Sequence, residues 1–179
     1  MKKRYGIIGC GMMGQEHLRN INLIDDAVTY AVYEPNPNMQ KMAQVLAPEA
    51  RFYDSLDKIL SDENIDCWLI VSPNHLHMNQ LEQLARVPHK PILVEKPLFP
   101  NINHLERVEK FLIKYTAPVW VAMEYRYMPP IAELIRQQKN VTGAIKMLSI
   151  REHRFPFLPK VDNWNRFNKN SGGTYVEKC

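Results

Sequence analysis

Arg4-Tyr5-Gly6-Ile7-Ile8-Gly9-Cys10-Gly11-Met12-Met13-Gly14 is a short β-type run that breaks into Gly-x-Gly-x-x-Gly. Behind it Met13, Leu18, Ile21 and Ile24 recur near helical spacing. A strand, then a glycine turn, then a helix is the context in which this motif carries meaning. Four of the seven glycines, Gly6, Gly9, Gly11 and Gly14, fall in these first fourteen residues. Gly9 suits the tight turn, Gly11 lets a pyrophosphate approach the backbone, and Gly14 lets helix and strand pack closely. Met12 and Met13 stand at the helix start, where free N–H groups and the positive dipole end favour phosphate. These residues are candidate cofactor contacts.

The second strand is expected over Val28 to Glu34. Glu34 ends it about twenty residues past the glycine motif, where a carboxylate accepts hydrogen bonds from the adenosine ribose. The same charge repels a 2′-phosphate. No Arg or Lys follows in Pro35-Asn36-Pro37-Asn38, so NAD is favoured over NADP.

Further along, β-type runs alternate with helix-type stretches. Helices are expected over Met39 to Leu46, from a cap at Asp54 through Leu60, over His75 to Arg86, and from a cap at Asn101 or Asn103 to Lys114. Strands are expected at Arg51 to Tyr53, Asp66 to Val71, Pro91 to Glu95 and Pro118 to Met123. Pro129-Pro130 opens a last helix to about Gln138. Six strands separated by helices predict an α/β, doubly wound parallel sheet with right-handed crossovers and both faces covered. After Val141 the texture changes: Gly143 to Arg154 is a longer β-type stretch, followed by an irregular segment with Pro156, Pro159 and Gly172-Gly173. The expected division is 1–125 for the dinucleotide-binding domain and 126–179 for a linker helix and the start of a second, α+β domain.

Composition narrows the function. The net charge of +4 is modest and its cations are scattered, which argues against nucleic acid. No apolar run approaches the ~20 residues of a membrane span, and no signal-peptide pattern follows Met1-Lys2-Lys3-Arg4. Cys10, Cys67 and Cys179 suit neither a disulfide framework nor a zinc site. A cytoplasmic protein is expected. His75 and His77 form a His-x-His pair without further ligands at suitable spacing, so no metal is expected.

Two later motifs follow strands. Ser72-Pro73-Asn74-His75-Leu76-His77 succeeds the fourth, and Glu95-Lys96-Pro97 ends the fifth. Ligands of open α/β sheets bind at such carboxyl ends. A lysine there can donate to a substrate oxygen and stabilise developing alkoxide character. Alternatively, Lys96 is a surface lysine flanking a strand, as Lys90 is.

The glycine loop, the Ser72 to His77 motif and Glu95-Lys96-Pro97, in that order, resemble the Gfo/Idh/MocA family of glucose–fructose oxidoreductase and inositol dehydrogenase relatives. The likeness is strongest from Arg4 to Tyr127 and resumes at Ser171-Gly172-Gly173. It implies a Rossmann domain joined to an α+β domain with a mostly antiparallel sheet. Ser72, Pro73, Asn74 and His77 then resemble the loop running toward the nicotinamide, Glu95 the cofactor-contacting acid, and Lys96 the catalytic lysine before an X–Pro bond that is cis in relatives. Arg126 or Tyr127 resembles a cleft residue, with domain docking as the alternative. Trp164 and Arg166 resemble a pair that closes over the cofactor, although Asn165 separates them and Trp164 equally suits a core.

Glu177 matches the acid of the second catalytic motif or, alternatively, is an ordinary first-turn acid. The histidine that acts as base in relatives falls two residues past Cys179, so the chain is expected to stop before that site is complete; His153 is a remote substitute. The implied function is hydride transfer between a secondary alcohol of a sugar, inositol or related polyol and NAD, by a protein that is homo-oligomeric when full length. An NAD-dependent glycosidase and a non-catalytic NAD-binding regulator remain as alternatives.

Overall fold

The structure is a computed structural model that describes residues 1–149, 151 and 159–173. It divides into two compact units, Met1–Ala122 together with the described residues from Lys160 on, and Met123–Pro159. Glu177 and most of the segment around His153 lie outside the described residues.

Six parallel strands form the first unit: β1 (Lys3–Ile8), β2 (Ala27–Tyr33), β3 (Arg51–Tyr53), β4 (Cys67–Ile70), β5 (Ile92–Glu95) and β6 (Val119–Ala122). Their order, β3-β2-β1-β4-β5-β6, is that of a Rossmann fold, with the order reversing between β1 and β4. Successive residues of β1 feed opposite faces. Ile7 packs with Leu18, Ile21, Val32 and Ala43 under helices α1 (Met12–Ile21) and α2 (Pro37–Leu46). Ile8 packs with Trp68, Met78, Leu81 and Phe111, under α4 (His77–Leu84) and α5 (Leu105–Lys114). The remaining crossover holds α3 (Leu56–Leu60). Gly6 of β1 pairs with Trp68 of β4, and a Cβ there would lie 2.7 Å from the indole. The indole, 1% exposed, occupies that space.

Local chemistry sets the helix ends. Asn36 caps α2, its side chain accepting from the N–H groups of Asn38 and Met39. The helix therefore begins at Pro37 rather than Met39, because proline is at ease in a first turn that needs no donor. Ser55, not Asp54, caps α3; Asp54 instead pairs with Lys58 one turn on, at 2.7 Å. Asn101 takes the cap before α5, and His75 falls in a 3-10 turn, so α4 starts two residues later than expected.

In the second unit a 3-10 turn (Glu124–Tyr127) leads into α6 (Pro129–Gln137), which two prolines open. Residues 143–149 and 151 carry no strand, contrary to the expectation for Gly143 to Arg154. A strand needs a neighbour for its ladder, and among the described residues none pairs with this stretch.

Candidate functional site

The carboxyl ends of β1, β2, β4 and β5 converge around the glycine turn. Gly9 adopts φ +95°, and its N–H donates to the Tyr33 carbonyl at 2.8 Å, tying the turn to the end of β2. A Cβ at Gly9 would sit 2.6 Å from the Ser72 nitrogen, and one at Gly14 would sit 2.5 Å from the Gly9 oxygen. Both glycines are demanded by the fold itself. A Cβ at Gly11, in contrast, would meet nothing within 4 Å among the described residues. Gly11 precedes an α1 N-terminus that no side chain caps and that has no acid in its first turn. Open space before unclaimed helix N–H groups fits a pyrophosphate. Met12 and Met13 are exposed there, at 44% and 41%.

Glu34 follows β2 directly. Its Oε2 accepts from the Cys10 N–H at 2.6 Å and its Oε1 from the Asn36 N–H at 2.8 Å. Each carboxylate oxygen has two acceptor positions, so both retain one for a ribose hydroxyl. Beneath it, the Cys10 thiol is pushed up to about 12, by burial first and by the Glu34 charge second. It is a packing group and not a nucleophile.

The loop after β4 is fixed from inside. Ser72 donates its hydroxyl to Gln80 at 2.5 Å. His77 is fully buried, its ring nitrogens 2.9 Å from the Ser72 and Pro97 carbonyls, so it bridges the loops that follow β4 and β5. Burial pushes this imidazole down, against the two carbonyls that favour its charged form. Asn74, 5% exposed, donates to the Ser171 carbonyl at 3.3 Å and so holds the Ser171–Gly173 turn against the loop. Trp164 also lies here, 6.3 Å from the His75 ring with Lys160 over its face at 4.6 Å, whereas Arg166 is exposed. Within the other unit, the Arg126 guanidinium donates to the Met123 carbonyl and Tyr127 is 79% exposed.

At the end of β5, Glu95 is 8% exposed. Its Oε2 accepts from the Lys96 N–H at 3.2 Å, and its Oε1 lies 2.7 Å from His17 Nε2. Lys96 is half-buried, and the Lys96–Pro97 peptide is cis. His17 was absent from the candidates read in the sequence, although a signal was there. Gly14, His17, Leu18 and Ile21 form one helical stripe, of which Gly14, Leu18 and Ile21 are buried. A polar residue on an inward stripe requires a polar partner.

Residues 3–123 match the Gfo/Idh/MocA family, described as oxidoreductases with an NAD-binding Rossmann fold. The chain belongs to this family. The myo-inositol 2-dehydrogenase of Thermotoga maritima is 27% identical over 176 residues, which is 97% of this chain and 51% of the relative. The inositol 2-dehydrogenase of Paracoccus denitrificans is 31% identical over 159 residues, 87% of this chain and 47% of the relative. Among family structures, the myo-inositol dehydrogenase of Lactobacillus casei in complex with NAD(H) and myo-inositol superposes with a TM-score of 0.69 at 26% identity. That match covers 76% of this chain and 41% of the other. The chain spans about half the length of the curated family relatives it matches. Among the described residues no helix is long and apolar enough to cross a membrane. Nor do they hold a group of three His, Cys, Asp or Glu side chains suited to a metal.

Proposed function

We propose that this chain binds NAD in an oxidoreductase that transfers a hydride between nicotinamide and a secondary alcohol of inositol, a sugar or a related polyol. The observation that carries the reading is Glu34: a carboxylate locked by two backbone N–H groups beside a glycine turn with room for pyrophosphate. Relatives named as inositol dehydrogenases supply the substrate class. The bound nicotinamide accepts or returns the hydride. The chain's own residues do the rest. The α1 N-terminus holds the diphosphate, Glu34 accepts from the ribose hydroxyls, and the Ser72–His77 loop borders the path toward the end of β5. Lys96 there donates to the reacting oxygen and stabilises its negative charge. Glu177 is assigned the acid of the second motif, and Trp164 and Arg166 closure over the cofactor. A cytoplasmic setting fits a chain whose cysteines suggest no disulfide framework, and the family resemblance adds a homo-oligomer acting on a small molecule.

Isothermal titration of the chain with NAD and NADP tests the reading. NAD should bind at least tenfold more tightly, because the 2′-phosphate of NADP would meet the Glu34 carboxylate. Equal or reversed affinities would remove Glu34 from its role.

A further inference from the structure

Glu95 presents a problem of its own. It terminates β5, its side chain is only 11% exposed, and a carboxylate taken from water needs charged or hydrogen-bonding partners to stay there. One oxygen takes the Lys96 N–H, at a modest 3.2 Å. The other takes the imidazole of His17 at 2.7 Å, from a residue 78 positions earlier in the chain. His17 lies on α1, the helix whose N-terminus faces the open space at Gly11. A single carboxylate thus joins the helix of the phosphate site to the backbone of the candidate catalytic lysine. The neighbouring histidine of the β4 loop does not compete for this task, since both ring nitrogens of His77 lie against backbone carbonyls.

We infer that His17 is a positioning residue for the nicotinamide end of the site: through Glu95 it fixes the end of β5 and the Lys96 backbone relative to α1. This inference rests on the NAD reading above. Removing the imidazole deprives a buried carboxylate of its side-chain partner and frees the strand end from the helix. The adenosine and diphosphate contacts, which depend on Gly11, the α1 N-terminus and Glu34, stay as they were.

Two ligands separate these ends: NAD, and ADP-ribose, which lacks the nicotinamide. Both are titrated into the whole chain and into His17→Ala, His17→Gln, Glu95→Ala and the His17→Ala/Glu95→Ala double variant, with thermal unfolding followed alongside. His17→Ala should weaken NAD binding about tenfold, because the freed strand end must then be ordered when the nicotinamide binds, and leave ADP-ribose within about twofold. His17→Gln keeps an N–H donor and should recover most of the NAD affinity. In the Glu95→Ala background, which has no acceptor for the imidazole, His17→Ala should add little, because the two act as one unit. Equal losses for both ligands, an unchanged NAD affinity, or additive effects in the double variant would each overturn the inference. If the unsubstituted chain binds neither ligand, the NAD reading itself fails, a different result from any of these.

Discussion

The two ends of the parallel sheet handle their charges differently. At the amino end, charges satisfy one another. The Arg4 guanidinium grips Asp66 through two nitrogens, at 3.1 and 3.0 Å, and the Arg4 N–H adds a third bond at 2.8 Å. This holds the Asp66 carboxyl down at about 2. Lys90 nearby donates to the Glu63 carbonyl and pairs its own backbone with Tyr115. At the carboxyl end, in contrast, Glu34 is held by backbone N–H groups and Glu95 by one backbone N–H and one histidine, while the first N–H groups of α1 have no side-chain cap. One end spends its polar groups on the fold. The other fixes its acids yet leaves acceptor positions, helix N–H groups and space unfilled, which is what a ligand requires.

Substitutions should sort by whether the fold or a ligand needs the group that is replaced. The largest effect is expected for Gly9→Ala, where a Cβ would meet Ser72 and Val71 backbone atoms at 2.6 to 2.9 Å from a φ of +95°. It should cost more than ~3 kcal/mol, through strain and overpacking together, or prevent folding. Chemical denaturation would read this, and a loss below ~1 kcal/mol would mean that the turn is more compliant than its geometry indicates. Lys96→Met should lower alcohol turnover on the order of a hundredfold in an active form of the protein, with NAD affinity changed less than about threefold. Stopped-flow rates near those of the unsubstituted protein would return Lys96 to the surface role that Lys90 plays.

Asp66→Asn should act on stability alone, and weakly. Its depressed pKa contributes stability that is fully present above the unfolded value near 3.9 and is lost as pH falls toward about 2. With its side chain 31% exposed, solvent screening reduces the contribution to about 1 kcal/mol. Denaturation curves should therefore converge for the two proteins between pH 4 and pH 2, with NAD affinity the same at pH 7. A loss of NAD affinity in Asp66→Asn would break the separation between the two ends.

Much of the carboxyl end was legible in the sequence. The glycine motif, Glu34 at its interval past it, and the six alternating strands follow from local patterns: a period, a turn residue, a cap. What escaped is non-local. His17 meets Glu95 only because the chain, after β3, crosses back to set β4 and β5 on the other side of β1, and no short-range pattern records that meeting. His77 reads as one half of a His-x-His loop pair, yet the 3-10 turn at Asn74–Leu76 rotates it inward onto two backbone carbonyls. The Asn74–Ser171 bond spans 97 positions and likewise has no local signature. Ser55 rather than Asp54 caps α3, and Asp54 pairs with Lys58 one turn on.

Gly11 tests most directly the claim that the carboxyl end is built for a dinucleotide. Its φ of −63° is ordinary for any residue, and among the described residues a Cβ there would meet nothing within 4 Å. The fold does not require this glycine, but a pyrophosphate at the α1 N-terminus does. Titration of Gly11→Ala with NAD, beside its thermal unfolding, should show affinity reduced tenfold or more at an unchanged melting temperature. Unchanged NAD affinity in a folded Gly11→Ala would contradict the account.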